Sequence, residues 1–169
     1  MLKEVIERIL REYATAREKG FASHPLAAWI RNDIPALFAS ATPEYPEVVW
    51  TASAGQGKWA DAPWIAAFDP LVTETAQEGY YPVYLFTRAL DSAYLSLNQG
   101  MAHLRDELGI EAKATLAHRA SILRTRLSPE YERRFTAAVI DPPRGWRFIS
   151  QAMRLALATR VMRFQPNRT

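Results

Sequence analysis

A glycine loop ending in lysine is the first stretch of this sequence that could do chemistry: Ala52-Ser53-Ala54-Gly55-Gln56-Gly57-Lys58-Trp59. A phosphate-cradling loop of a nucleotide hydrolase has glycine where Ala52 stands and serine or threonine where Trp59 stands. Without that hydroxyl there is no Mg²⁺ ligand, which argues against nucleotide hydrolysis. Two readings remain. The segment is a plain strand connection whose glycines permit positive φ, or it is a flexible finger, Gly55 to Trp59, that carries Gln56 at its tip and Lys58 beside it into a groove.

The other chemistry-bearing residues do not assemble. Glu111-Ala112-Lys113 has the Glu-x-Lys form of a common nuclease site, with Asp91 or Asp106 as the partner carboxylate. Its setting is helical and alanine-rich rather than a strand, so an exposed charge pair is the expectation. His24, His103 and His118 lack His-x-x-x-His spacing and belong at surfaces or helix ends. No Gly-x-Ser-x-Gly elbow is present. The chain has no cysteine, hence no thiolate nucleophile or thiolate metal site, and this fits a reducing cytoplasm. The expectation is a protein with no metal, no cofactor and no catalytic constellation, a binding module rather than an enzyme.

The loop needs strands to hold it, and the flanking residues are strand formers. Val48–Ser53 and Pro63–Phe68 read as two strands joined by the glycine loop. Tyr80–Thr87 reads as a third, in which Pro82 points to a sheet edge or a bulge. A tight turn at Leu90-Asp91-Ser92 leads into a fourth, Ala93–Leu97. Period-two alternation puts Tyr81, Val83 and Leu85 on one face and Tyr80, Pro82, Tyr84 and Phe86 on the other. With both faces apolar, the sheet is covered twice or one face lines a pocket. An aromatic slot with aliphatic walls would take a planar base.

Helices frame the sheet. Leu2, Val5, Ile6, Ile9, Leu10 and Tyr13 recur at helical spacing, so an amphipathic helix runs to about Lys19 with Gly20 as C-cap. Ser23 caps a second helix whose inward residues are Leu26, Trp29 and Ile30, and Pro35 kinks or restarts it. From Met101 the composition turns to helix formers, with a break near Gly109 and an apolar side of Leu116, Ala120, Ile122, Leu123 and Leu127. Ser128-Pro129-Glu130 restarts a turn, Val139-Ile140 is a short strand, and Phe148 to Met162 forms a last helix. The fold class is α+β, with a small, mostly antiparallel sheet over about 47–98 packed with N-terminal and C-terminal helices. At 169 residues one domain is expected, divided into a helical lead-in (1–44), a sheet with its finger loop (45–100) and a basic helical part (101–169). No apolar run approaches the roughly 18 residues of a membrane span, and the N-terminus is not a secretory signal.

Charge is unevenly spread. Residues 1–100 hold 8 Lys/Arg and 12 Asp/Glu, a net of −4, whereas residues 101–169 hold 13 and 6, a net of +7. The second part is rich in arginine, whose planar fork matches phosphate oxygens. Arg119, Arg124, Arg126, Arg144 and Arg147, with Lys58 on the finger, are the candidate phosphate contacts. Solvated helix faces are the ordinary alternative.

Three runs carry a resemblance: Trp50 to Asp69 through the glycine finger, Gly79-Tyr-Tyr-Pro-Val-Tyr-Leu-Phe86, and Tyr94-Leu-Ser-Leu-Asn-Gln-Gly100. Over about 45–100 the chain resembles the McrB-like N-terminal domain, the DNA-recognition part of modification-dependent restriction systems of the McrBC type. The resemblance implies binding of double-stranded DNA that carries a modified base, 5-methylcytosine or a related modified cytosine, and rotation of that base into a pocket. It also implies a GTPase and a nuclease as partners, on other domains or subunits. Matched by position, Trp64 and Leu85 are implied as pocket walls and Gln56 as the tip that approaches the vacated stack; Tyr84 and Tyr81, aromatics of the same strands, are the further pocket candidates. The family's pattern has an aromatic where this chain has Gln56, and glutamine hydrogen-bonds base edges but stacks poorly. The alternative is a protein-interaction or oligomerisation domain of a defence system, with the aromatics in its core or interface.

Overall fold

The computed structural model describes residues 1–100, 102–126 and 157–163. Helix α1 (Leu2–Arg17) buries Val5, Ile6, Ile9, Leu10, Tyr13 and Ala16, the stripe its spacing requires. A short helix α2 (Pro25–Ala28) follows, capped by His24 rather than Ser23: the His24 Nδ1 accepts from the Leu26 N–H at 3.2 Å. A π-helical turn, Trp29–Asp33, then leads into α3 (Ile34–Ala41). Pro35 sits in the first turn of α3, where its missing N–H costs nothing, so the proline restarts the helix.

Five antiparallel strands follow in a meander, order β1-β2-β3-β4-β5: β1 (Val49–Gly55), β2 (Trp59–Phe68), β3 (Tyr80–Phe86), β4 (Ser92–Gln99) and β5 (Leu157–Arg163). Between β4 and β5 in sequence come α4 (Ala102–Leu108), a 3₁₀ turn (Gly109–Glu111) and α5 (Ala112–Thr125). The fold is the expected α+β arrangement, with one correction. Residues 157–163 are a strand against β4, not the end of a last helix. Leu157, Val161 and Met162 suit either periodicity over so short a run, and pairing with β4 decides. The expected turn at Ser128–Glu130 and strand at Val139-Ile140 lie outside the described residues.

Pro82 also departs from expectation. It sits on β3, between two neighbours, rather than on an edge. The ladder from β2 ends at Ala66↔Val83, one residue before Pro82, so no β2 bond is asked of a residue without an N–H.

Register sorts the sheet into two faces. Ala52, Ile65, Tyr84, Phe86 and Ala93 face the N-terminal helices and form one core with Ile6, Ile9, Tyr13, Ile30, Ile34 and Phe38. Ala66, Phe68, Tyr81, Val83, Leu85 and Tyr94 form a separate cluster on the opposite face, with Trp64 packed at its margin. A third, small cluster joins Leu104, Ala112 and Leu116 of α4 and α5. No described helix is long and apolar enough to cross a membrane.

Candidate functional site

The finger is the tip of the β1–β2 hairpin, and its base is an irregularity. Ser53 pairs with Trp64 and Gly55 with Trp59. Ala54 alone on β1 therefore stands opposite Ala60, Asp61, Ala62 and Pro63 on β2. Such a bulge bends the strand and re-aims what lies beyond it, and it is a place where Pro63 loses no ladder bond. A bulge also leaves carbonyls without partners. Tyr13 of α1 supplies the missing donor: its buried hydroxyl lies 2.7 Å from the Ala54 carbonyl and 3.0 Å from the Ala60 carbonyl. Burial pushes the Tyr13 pKa well up, so the hydroxyl keeps its proton.

Other contacts clamp the same base. Arg17 Nη1 donates to the Asp61 carbonyl at 2.6 Å, and Arg17 and Arg88 approach the Asp61 carboxylate at 3.6 and 4.0 Å. Trp59 belongs to this anchor rather than to the projecting tip. Its indole N–H donates to the Lys19 carbonyl at 2.9 Å, and its ring meets Tyr13, Phe21 and His24 edge-on at 5.0–5.2 Å. Gly55 has φ +131°, and a Cβ there would collide with the Lys58 carbonyl oxygen, so only glycine closes this hairpin. What projects is Gln56, Gly57 and Lys58, all exposed.

Trp64 and Leu85 are directly opposed on β2 and β3. The row runs Ser53–Trp64–Leu85–Tyr94 across four strands and lies nearest the finger. Leu85 is buried, while Trp64 is only half-buried. The next row is small: Thr51, Ala66, Val83 and Ser96. The row beyond it is bulky again, with Phe68 on β2 and the directly opposed Tyr81 and Asn98 on β3 and β4; the Phe68 and Tyr81 rings are 5.1 Å apart. By side-chain size the face is thus a trough between two aromatic rows, and its floor of Ala66, Val83 and Ser96 is buried.

Of the residues expected to wall a pocket, Trp64, Leu85 and Tyr81 share this face. Tyr84 does not: alternation sends it to the helix-covered side, where its ring lies 6.0 Å from Phe38. Tyr94, Phe68, Ser96 and Asn98 belong to the trough and were missed. The period-two pattern of β4, with Tyr94, Ser96 and Asn98 at alternate positions, was the signal that could have found them.

Among the expected phosphate contacts, Lys58 is exposed on the finger, Arg119 and Arg126 are exposed on and just after α5, and Arg124 lies on α5. Arg144 and Arg147 lie outside the described residues. Glu111 and Lys113 are exposed at the start of α5 and Asp106 is exposed on α4, as an ordinary charged surface would have them. His24 is a helix cap. Among the described residues no cluster of histidine, aspartate and glutamate could hold a metal ion.

A family model described as MrcB-like, N-terminal domain, matches residues 8–145, from the first helix through β1–β4 and the finger and on past α5. No curated protein and no solved structure gives a significant match to the chain.

Proposed function

The chain belongs to the MrcB-like N-terminal domain family, and on that premise we propose that it is a DNA-recognition module for duplexes carrying a modified cytosine. The modified base swings out of the helix and stacks on Trp64, with Leu85 limiting the room for its substituent. Gln56 enters the duplex from a groove and hydrogen-bonds the orphaned partner base. Lys58 and the arginines of the C-terminal part hold phosphates, so affinity falls with salt. Strand scission and nucleotide hydrolysis reside in a GTPase and a nuclease on other domains or subunits.

One observation carries this reading: a half-buried indole directly opposes a buried leucine, in the row nearest an exposed three-residue finger whose base is clamped. A rigid base and a free tip suit a probe that must be aimed. Stacking of a base on an aromatic ring contributes roughly 1–3 kcal/mol. A methyl group adds only about 0.8 kcal/mol of apolar burial, so fit to Leu85 alone gives roughly fourfold preference for a methylated base.

The test is a binding screen over duplexes with 5-methylcytosine, hydroxymethylcytosine or plain cytosine at one position, at two salt concentrations. The expected result is preference for one modified base, lost in Trp64→Ala while weak, salt-sensitive binding to every duplex remains. Equal weakening on modified and plain duplexes by Trp64→Ala would remove the indole from base recognition. Absence of DNA binding altogether would favour the protein-interaction alternative.

A further inference from the structure

Two oxygen atoms in the trough have no partner. Ser96 and Asn98 are fully buried on β4, two residues apart on the face that carries Trp64 and Leu85. Among the described residues, neither Ser96 Oγ nor Asn98 Oδ1 has a hydrogen-bond partner. Gln99 Oε1 is also without a partner, but its side chain is held on the other face, where its Nε2 donates to the Leu116 carbonyl of α5. Buried polar atoms are almost always satisfied, because leaving one dry costs stability without return. Two on one strand and one face are a feature to be explained.

The chemical sense of the Asn98 atom is fixed by a relay. Tyr81 has a single hydroxyl proton, and it donates to the Ala76 carbonyl at 3.1 Å, which can only accept. The Tyr81 oxygen is therefore the acceptor for Asn98, which must donate through Nδ2, at 2.8 Å. Flipping the amide would set Asn98 Oδ1 against the lone pairs of Tyr81. Burial raises the Tyr81 pKa and keeps that proton in place. The free atom of Asn98 is thus an obligate acceptor. Ser96 Oγ, on the floor of the trough between Tyr94 and Asn98, can donate or accept.

Resting on the base-flipping reading above, we infer that Asn98 Oδ1 and Ser96 Oγ are the specificity-determining contacts for the polar edge of the extruded base, with Asn98 accepting from an exocyclic amino group and Ser96 donating to the neighbouring ring nitrogen or carbonyl. An amino-bearing pyrimidine presents a donor beside an acceptor. A 5-methylated pyrimidine with a carbonyl in place of the amino group sets oxygen against Asn98 Oδ1 and is rejected. The aromatic row judges shape and the substituent; the β4 pair judges which base it is. Both atoms are sealed from solvent in the free protein, so the two hydrogen bonds form only as the face opens to admit the base.

Thymine and 5-methylcytosine share ring and methyl and differ only along the polar edge, where a 4-carbonyl and N3–H replace the 4-amino group and bare N3, so they separate the two functions. Binding is compared for the whole chain on three duplexes with cytosine, 5-methylcytosine or thymine opposite the same guanine. The mismatched thymine is the easiest of the three to extrude. Preference for 5-methylcytosine over thymine by about tenfold or more is expected nonetheless. Asn98→Leu is expected to bring the two within about twofold, and Ser96→Ala to weaken 5-methylcytosine and cytosine alike by several-fold. The melting temperature of Ser96→Ala should be unchanged or higher, since a dry hydroxyl is removed. A wild-type chain that prefers 5-methylcytosine to cytosine yet binds thymine as well or better overturns the amino-group inference and leaves the pocket reading standing. A chain that prefers neither 5-methylcytosine nor hydroxymethylcytosine to cytosine overturns that reading itself. A lowered melting temperature in Ser96→Ala, with discrimination intact, means the hydroxyl serves the fold, and it also overturns the inference.

Discussion

The two faces of the sheet use the same kinds of residue to opposite ends. Against α1–α3, the tyrosine hydroxyl at the centre of the packing meets two carbonyls, and Phe86, Ile65 and Ile9 are sealed. On the far face, Tyr81 is also hydrogen-bonded, but its neighbours Ser96 and Asn98 keep oxygen atoms dry, and Trp64 stays partly open to solvent. Among the described residues the other face has one such atom, Gln99 Oε1, on an amide already anchored to the Leu116 carbonyl, whereas the far face has two on one strand. The lesson is that burial alone does not make two faces alike; they differ in how much hydrogen-bonding capacity is left unmet.

That contrast can be broken by substitution, beginning with the largest effect. Phe86→Ala hollows the helix-covered core and should cost about 3–5 kcal/mol in denaturant unfolding. At temperatures where the variant is still folded, its preference among duplexes should match wild type. Trp64→Ala should invert the pattern, with binding preference lost and a smaller change in unfolding. If both variants lose stability and binding in proportion, the two faces are one cooperative unit and the distinction fails.

The finger sharpens the comparison at the next scale. Gly55→Ala puts a side chain at φ +131° and into the Lys58 carbonyl, so strain of roughly 1–3 kcal/mol or more is expected. Gly57 also has positive φ, +69°, but a Cβ there meets nothing within 4 Å. Gly57→Ala should therefore cost about 1 kcal/mol. Unfolding midpoints of the two variants decide this; an equal cost would mean the bulge relaxes to admit Gly55→Ala.

The smallest effect is alkaline. Burial raises the pKa values of Tyr13, Tyr81 and Tyr84 above the ordinary value of 10.0. A raised folded-state pKa means the neutral phenol is favoured on folding. That contribution is intact below about pH 10 and is lost as pH rises through the folded values. Denaturant midpoints should show no tyrosine-linked fall below about pH 10 and should drop above it. Tyr13→Phe should lower stability at neutral pH by about 1–3 kcal/mol, because the one proton shared by the Ala54 and Ala60 carbonyls is removed, and should soften the alkaline fall.

Much of this was legible in the sequence where one periodicity dominated. The α1 stripe, the four strands of 47–98 and the separation of Leu85 from Phe86 follow from spacing alone. The His24 cap was masked by Ser23, a better capping residue by type. The bulge at Ala60–Pro63 was not visible, since Pro63 reads as a strand start when nothing indicates that Trp59 is already paired. β5 was missed because its partner lies some sixty residues earlier, and a seven-residue apolar-and-basic run carries no decisive period. Tyr84 was grouped with Trp64 on composition, although the alternation already placed it on the other side.

The meander has a consequence for how the molecule comes into being. From β1 to β4 each strand pairs with the one made just before it. The loops to be closed are short, so each step forfeits little chain entropy, and the first helix is already available to seat its tyrosine in the kink of the first hairpin. Only the last strand must return across a long intervening stretch. A chain leaving the ribosome can therefore lock the first hairpin before the fifth strand has been synthesised, and the slowest event in folding falls at the opposite margin of the sheet.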